Sequence, residues 1–287
     1  MSRVWHITGA NTGLGLELCL KALSEGDRVI AAVRTPSKAP ESLQRPDVRI
    51  LQFDLSWDQR QMDEYATKAI QVFGRLDVVV NNAGYSYMGA IEESEDTAVK
   101  SQFDTNVFAP LRLTRSFLPH LRSQGTGTIL NISSIGGLRS YASNGIYCAS
   151  KFALEGVTEA LATEIAPFGL NAFIVEPGYF RTDFLASVTA GSNIAPAMGV
   201  YKGTVADEAR KQFGEIAGRQ RGDPKEGAKR IWEFVADEGL LKGREKLLRL
   251  PLGSDTGEVM KELARELERT VDVYEDVWGS TDFPTNE

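Results

Sequence analysis

The stretch VWHITGANTGLGLELCLKALSEGDRVIAAV, residues 4–33, holds a complete strand–loop–helix–strand unit. Residues 4–8 are short and β-rich, and a glycine cluster follows at once. Residues 14–26 place apolar side chains at helical spacing and stop at Gly26, the pattern of a helix with its terminator. Residues 28–33 form a continuous apolar run, which suits a strand buried on both faces. The unit predicts a parallel βαβ crossover with an open loop between its first strand and helix.

The same alternation continues outward. VRILQFD (48–54), LDVVVNNAG (76–84), GTILNISS (127–134) and GLNAFIVEPG (169–178) extend the strand series. Amphipathic segments at 58–73, 94–122 and 147–168 lie between them. Six strands so connected predict an α/β chain with a doubly wound parallel sheet, the Rossmann arrangement, whose ligand sits at the carboxyl ends of the strands. No repeat or low-complexity linker divides the chain, so residues 1–287 are expected to form one domain. Residues 183–222 carry scattered glycines and aromatics without strand spacing and are expected to form a mobile substrate lid. Residues 253–277 predict a helical C-terminal extension with Met260, Leu263, Leu267, Val271 and Tyr274 on one stripe, packed on the same domain or on a partner subunit.

Composition narrows the function. The chain is 42% hydrophobic and 25% charged, with net charge −7, which disfavours a nucleic-acid partner. No apolar run approaches the roughly 20 residues that span a bilayer. The N-terminus enters RVWHIT at once, leaving no room for a secretory leader. Cys19 and Cys148 are expected to be free thiols in a reducing compartment, so the expected location is cytoplasmic. Cys148 is expected to be a small packing residue, and His6 and His120 are expected to be structural.

The loop spacing is GxxxGxG, with Gly9, Gly13 and Gly15. Glycines permit a tight turn and let backbone approach a pyrophosphate at a helix N-terminus, where free N–H groups favour an anion. Asn11 and Thr12 can fix the loop by local hydrogen bonds. A binder of the unphosphorylated dinucleotide places an acid at the end of the second strand, but Arg34 follows Val33 here. An arginine there can pair bidentately with a 2′-phosphate, which favours NADP(H) over NAD(H).

Further along, SSIGGLRSYASNGIYCASK (133–151) sets Tyr147 four residues before Lys151, on one face of a helix. A phenol with pKa near 10 is a poor base at neutral pH, and a fixed cation favours its phenolate. Bringing it near neutrality requires about 4 kcal/mol, to which Lys151 and an oxidised nicotinamide can both contribute. Such a tyrosine can exchange a proton with a carbonyl or alcohol oxygen as hydride moves at the neighbouring carbon. Ser134 can hydrogen-bond the same oxygen.

These residues resemble the short-chain dehydrogenase/reductase family. The resemblance is carried by TGANTGLG (Thr8–Gly15), DL (Asp54, Leu55), NNAG (Asn81–Gly84), Asn106 in FDTNVF, Ser134, YCASK (Tyr147–Lys151) and PGYFRT (Pro177–Thr182). It implies Tyr147 as acid/base, Lys151 as its pKa-lowering neighbour and ribose ligand, Ser134 on the substrate carbonyl, and Asn106 holding a water in a proton relay. It also implies that Gly9, Asn11, Thr12, Gly13, Leu14 and Gly15 cradle the dinucleotide, with Asp54 and Leu55 at its adenine. Asn82, Ala83 and Gly84 would line its middle, and Pro177, Gly178, Phe180 and Thr182 its nicotinamide end. EPGYFRTDF and LPLGSD resemble hydroxysteroid-dehydrogenase-like members.

Several readings stay open at this level. Asp54 can cap a turn, Asn106 can be a satisfied helix asparagine, and NNAG can be a strand-ending turn. Ser133 is expected to bond to backbone. Tyr85, Tyr87, Met88, Leu138, Tyr141, Phe184, Leu185, Met198 and Tyr201 can line an apolar substrate pocket or pack the lid. Arg139 is a solvated arginine or a ligand for an acidic group. Relatives often end in a short glycine-rich strand that builds a tetramer, and LLRLPLGSD departs from it. A homodimer through the helices near 97–122 and 147–166 is the expected assembly. The reading is an NADP(H)-dependent oxidoreductase acting on a small hydrophobic carbonyl or alcohol, with no metal. Its rivals are a non-catalytic nucleotide sensor or scaffold of this fold and a sugar-nucleotide epimerase, which would have another glycine spacing.

Overall fold

The computed structural model describes residues 2–188 and 193–283. The strands are β1 (Val4–Thr8), β2 (Arg28–Val33), β3 (Val48–Gln52), β4 (Val78–Asn81), β5 (Gly127–Ile132), β6 (Leu170–Pro177) and β7 (Arg249–Leu252). They form one sheet in the order β3-β2-β1-β4-β5-β6-β7, with every neighbouring pair parallel. Alternate residues of each strand feed opposite faces. Trp5 and Ile7 pack with Leu18 of α1 (Gly13–Ser24) and with Ile231 and Trp232 of α8 (Pro224–Ala236). Val4 and Ile129 face the other way, onto Met62 of α2 (Gln59–Phe73), Phe117 of α4 (Ala109–Gln124) and Ile165 of α5 (Gly145–Ile165).

His6 lies within the second layer. Its Nε2 is 2.7 Å from the Tyr65 hydroxyl, and the rings of Phe53, Tyr65 and Phe117 enclose it. Burial pushes its pKa down to about 3, so the imidazole is neutral and structural. Cys19 and Cys148 are both buried free thiols.

The six expected strands are present, and β7 is a seventh that the sequence reading missed. Its segment RLPL contains Pro251, which cannot donate to a ladder and is tolerated only at an edge. β7 occupies that edge, beside β6. The long helix expected near 97–122 is α3 (Asp96–Phe103), a π-helical turn (Asp104–Phe108), then α4.

Within 183–222, residues 189–192 lie outside the described residues. The rest contains α6 (Phe184–Val188) and α7 (Val205–Ile216). This segment is tied down: Met88 N–H donates to Asn193 O at 2.8 Å and Ala195 N–H to Met88 O at 2.7 Å. Arg210 on α7 pairs with the buried Glu93, whose Oε1 also accepts from Met198 N–H at 2.8 Å. The C-terminal helix breaks into α9 (Ser254–Val273) and α10 (Glu275–Gly279). Met260 and Leu263 of its stripe are half-buried, whereas Leu267, Val271 and Tyr274 are exposed, so packing against this chain stops near Leu263. Among the described residues no helix is long and apolar enough to cross a membrane.

One buried carboxylate joins the sheet to α8. Asp27, before β2, accepts from the indole N–H of Trp5 and of Trp232, each at 2.9 Å, and from Arg3 N–H at 2.8 Å. Replacing Asp27 with Ala strands two buried indole donors. Urea unfolding of Asp27→Ala is expected to show about 3 kcal/mol lower stability with an unchanged denaturant slope.

Candidate active site

A cleft of about 1220 Å³ opens where the chain leaves β1, β4, β5 and β6. Strand order reverses between β1 and β4, so the loops there part and leave the crevice. Thr8, the last residue of β1, holds the two strands in register at this point. Its Oγ1 accepts from Asn82 N–H at 2.9 Å and Ala83 N–H at 3.0 Å, and the Asn82 side-chain amide donates to Thr8 O at 2.8 Å.

Gly9 (φ +66°) and Gly13 (φ +55°) take left-handed backbone, which side chains resist. Gly15 is required for a different reason: a Cβ there would meet Asn82 Nδ2 and lie 2.5 Å from Gly9 O. It packs beneath the loop, whereas Gly9, Asn11, Thr12, Gly13 and Leu14 line the cleft. Thr12 makes no side-chain cap on α1, so the first amides of that helix are left for an anion.

At the far end Arg34 and Lys38 line the cleft, Arg34 exposed and, among the described residues, without an ion-pair partner. No acid ends β2, as the sequence predicts. Lys38 was not anticipated; it sits in a short 3₁₀ turn (Pro36–Lys38) four residues past Arg34. Asp54 and Leu55 line the wall nearby. Asp54 does cap a turn, its Oδ1 accepting from Ser56 N–H at 2.9 Å and Ser56 Oγ at 2.8 Å.

Tyr147, Lys151 and Ser134 come together in the middle of the cleft. Tyr147 and Lys151 share a face of α5, with the ammonium 5.8 Å from the phenol ring centroid. Lys151 Nζ donates to Ile132 O at 2.8 Å. Burial lowers the Lys151 pKa to about 8, and the Glu155 charge opposes that fall. The Tyr147 phenol differs from expectation. Burial raises its pKa above the usual 10, and the opposing influence is a hydrogen bond with Ser134 rather than the Lys151 charge. The physical reason is that the ring is buried against Phe184, 5.9 Å between centroids, where a phenolate loses its hydration.

Asn106 stands behind the wall, fully buried on the π-helical turn. Its side-chain amide donates to Tyr85 O at 2.9 Å and Ser150 Oγ at 3.1 Å, and its Oδ1 accepts from Tyr85 N–H at 3.2 Å. The room left by the missing side chain of Gly84 lies 3.0 Å from Asn106 Oδ1 and 3.8 Å from Lys151 Nζ. Asn82, Ala83, Gly84, Pro177, Gly178, Phe180 and Thr182 all line the cleft.

The substrate side is aromatic. Of the residues left open between pocket wall and lid packing, Tyr85, Tyr87, Tyr141, Phe184 and Leu185 line it, together with Tyr179 and Phe213. Met88 packs instead with Leu185, Val188 and Phe213, and Leu138 is buried elsewhere. Met198 is exposed, and the Tyr201 hydroxyl donates to Glu92 at 2.8 Å. Arg139 pairs with Glu266 on α9 at 2.7 Å, so it is neither free nor aimed at substrate.

Two supports of the site escaped the sequence reading. Asp255 on α9 accepts from Tyr179 N–H at 2.8 Å and fills the space over Gly178, so the C-terminal helix holds the loop after β6. Ser133 Oγ donates to Glu155 Oε1 at 2.5 Å, not to backbone. Glu155 in turn pairs with Arg249, which also meets the fully buried Glu176 at 2.5 Å. No signal at sequence separations of 22 and 94 residues marks such contacts. The described residues hold no group of three or more His, Cys, Asp or Glu able to bind a metal. The glycine bed and the uncapped α1 N-terminus fit an extended dinucleotide.

A family model described as short chain dehydrogenase matches residues 3–193. The uncharacterized oxidoreductase YusZ of Bacillus subtilis (strain 168) is 31% identical over 258 residues, covering 86% of this chain and 88% of that protein. A crystal structure of a short-chain dehydrogenase from Streptomyces avermitilis superposes with TM-score 0.86 at 33% identity, covering 99% of this chain and 100% of that one. The 17-beta-hydroxysteroid dehydrogenase type 1 of Homo sapiens is 35% identical over 193 residues, 63% of this chain and 58% of that protein.

Proposed function

The chain belongs to the short-chain dehydrogenase family of oxidoreductases, and we propose that it interconverts a hydrophobic ketone or aldehyde and its alcohol with NADP(H). The observation that carries the reading is Tyr147, buried in the cleft that Ser134 also lines, with Lys151 one helical turn on. The nicotinamide, when bound, supplies or accepts the hydride. Tyr147 O–H donates its proton to the carbonyl oxygen in reduction. Ser134 holds that oxygen through a hydrogen bond. Lys151, anchored on Ile132 O, keeps positive charge beside the phenol and offers a donor to a ribose hydroxyl. Asn106 fixes the Tyr85 backbone and packs so closely on Gly84 that a side chain there would press against its Oδ1.

Arg34 and Lys38, without an acid beside them at the end of β2, support the phosphorylated cofactor. The aromatic lining from Tyr141, Tyr179, Phe184 and Phe213 supports an apolar, ring-bearing substrate, in keeping with a relative named for a hydroxysteroid. Exposed Phe108 and Phe152, on the π-helical turn before α4 and on α5, support pairing of two copies across that face. Buried free Cys19 and Cys148 suit a reducing, cytoplasmic setting.

Tyr147→Phe is expected to lower kcat for carbonyl reduction by about 100-fold or more, with NADPH affinity by fluorescence nearly unchanged. An active Phe variant would refute the proton donor. The pH dependence follows from the two buried groups. The phenol, raised by burial, stays protonated at neutral pH, so reduction is expected to be level there and to decline as Lys151 loses its charge near pH 8. Alcohol oxidation, which needs the phenolate, gains as pH rises towards that point. Both are read from initial rates monitored by NADPH absorbance. Arg34→Ala is expected to weaken NADPH binding about tenfold and leave NADH binding unaltered. Equal affinity for the two cofactors before mutation would sink the Arg34 argument.

A further inference from the structure

Behind the cleft, two successive residues leaving β5 are held by two side chains one turn apart on α5. Lys151 Nζ donates to Ile132 O at 2.8 Å, and Ser133 Oγ donates to Glu155 Oε1 at 2.5 Å. The next residue is Ser134. The turn that follows lies directly on this carboxylate: a Cβ at Gly137 would collide with Glu155 and stand 2.5 Å from Ser133 Oγ. Arg249 on β7 clamps the other oxygen of Glu155 and reaches Glu176 on β6. Glu155 and Glu176 are almost wholly buried, and the second oxygen of Glu176 has no partner.

We propose that Glu155 is a positioning residue for the Ser134–Tyr147–Lys151 group: it sets the turn that carries Ser134 and keeps Lys151 in its ammonium form. The inference rests on the proposed reductase reading. The groups facing Glu155 are Lys151 on its own helix, Ser133 and Gly137 on the turn after β5, Glu176 on β6 and Arg249 on β7. Of these, Ser133 and Arg249 hydrogen-bond and pair with the carboxylate. Glu176 repels it, and burial together with the Glu155 charge raises the Glu176 pKa to about 7. The result is a Glu155 carboxylate held by Ser133 and Arg249 one helical turn from Lys151. Removing that charge removes the influence that opposes desolvation of the ammonium. Arg249 comes from the last strand, so the edge of the sheet contributes to the geometry of the cleft.

Glu155→Gln keeps the size and an oxygen for Ser133 but deletes the charge. Its kcat for carbonyl reduction is expected to fall about tenfold, with NADPH affinity within about twofold of wild type. The alkaline limb of the rate profile should move about one pH unit lower. In the cofactor-free protein, competitive acetic-anhydride labelling of Lys151, followed peptide by peptide by mass spectrometry, should show the same displacement. Glu155→Asp, which restores the charge, should return both midpoints towards wild type. Ser133→Ala removes only the link to the turn and should reduce kcat severalfold while leaving the limb in place. A Glu155→Gln profile superimposable on wild type overturns the proposal, and so does a loss of kcat with an unmoved limb, which marks a merely structural carboxylate. Should Glu155→Gln fail to fold, full kcat in Ser133→Ala overturns it. A wild-type chain without carbonyl reduction sinks the reductase reading, whereas a working reductase indifferent to Glu155 sinks this one alone.

Discussion

The hydroxyl of Thr8 sets the geometry on which the cleft depends. By accepting from the Asn82 and Ala83 amides it holds together the ends of β1 and β4, the two parallel strands between which the order of connection reverses. The glycine loop must then turn sharply above Asn82, and only a residue without a side chain fits at position 15. From this one contact follow the open N-terminus of α1, the gap between the loops and the path available to a long ligand. The buried aromatic and aliphatic layers on both faces make the strands rigid enough for a few tenths of an ångström at Gly15 to matter.

Inside the cleft, two effects of burial act on neighbouring groups in opposite senses. Desolvation favours the neutral form of each, so it raises the Tyr147 phenol and lowers the Lys151 ammonium. Left to burial alone, the pair would be a neutral acid beside a partly neutral amine. The carboxylate chain behind it works against that outcome at Lys151, and Ser134 works against it at Tyr147. A site built this way keeps a proton ready without surrendering its positive charge.

Much of this was legible in the sequence because it is local. Strand periodicity, glycine spacing and the four-residue step from Tyr147 to Lys151 all follow from backbone geometry over short distances. Six strands of the parallel sheet were legible on that basis, and the glycine loop, Ser134 and Tyr147 all line the same cleft. What escaped depends on tertiary packing. RLPL resembles a loop until β6 lies beside it, and Glu155 resembles a surface helix residue until Arg249 arrives from 94 positions away. The sign of the Tyr147 displacement was also misjudged, because a helical wheel reports which charges are near but not how much water is lost. Of nine residues considered for the substrate wall, Tyr85, Tyr87, Tyr141, Phe184 and Leu185 line the cleft, whereas Met88 and Leu138 are buried in packing and Met198 and Tyr201 point to solvent or to Glu92.

Pro251 gives the sheet a further property. The carbonyls of Leu248, just before β7, and of Leu252 at its end accept from Ile174 of β6 and from Gly178 just past it, so by strand alternation residue 251 directs its backbone outward. A proline there has no N–H to offer a newcomer. The free border is thereby blunted against strand-by-strand extension or fibre growth. At this edge, recognition is left to side chains rather than to the universal grammar of the backbone.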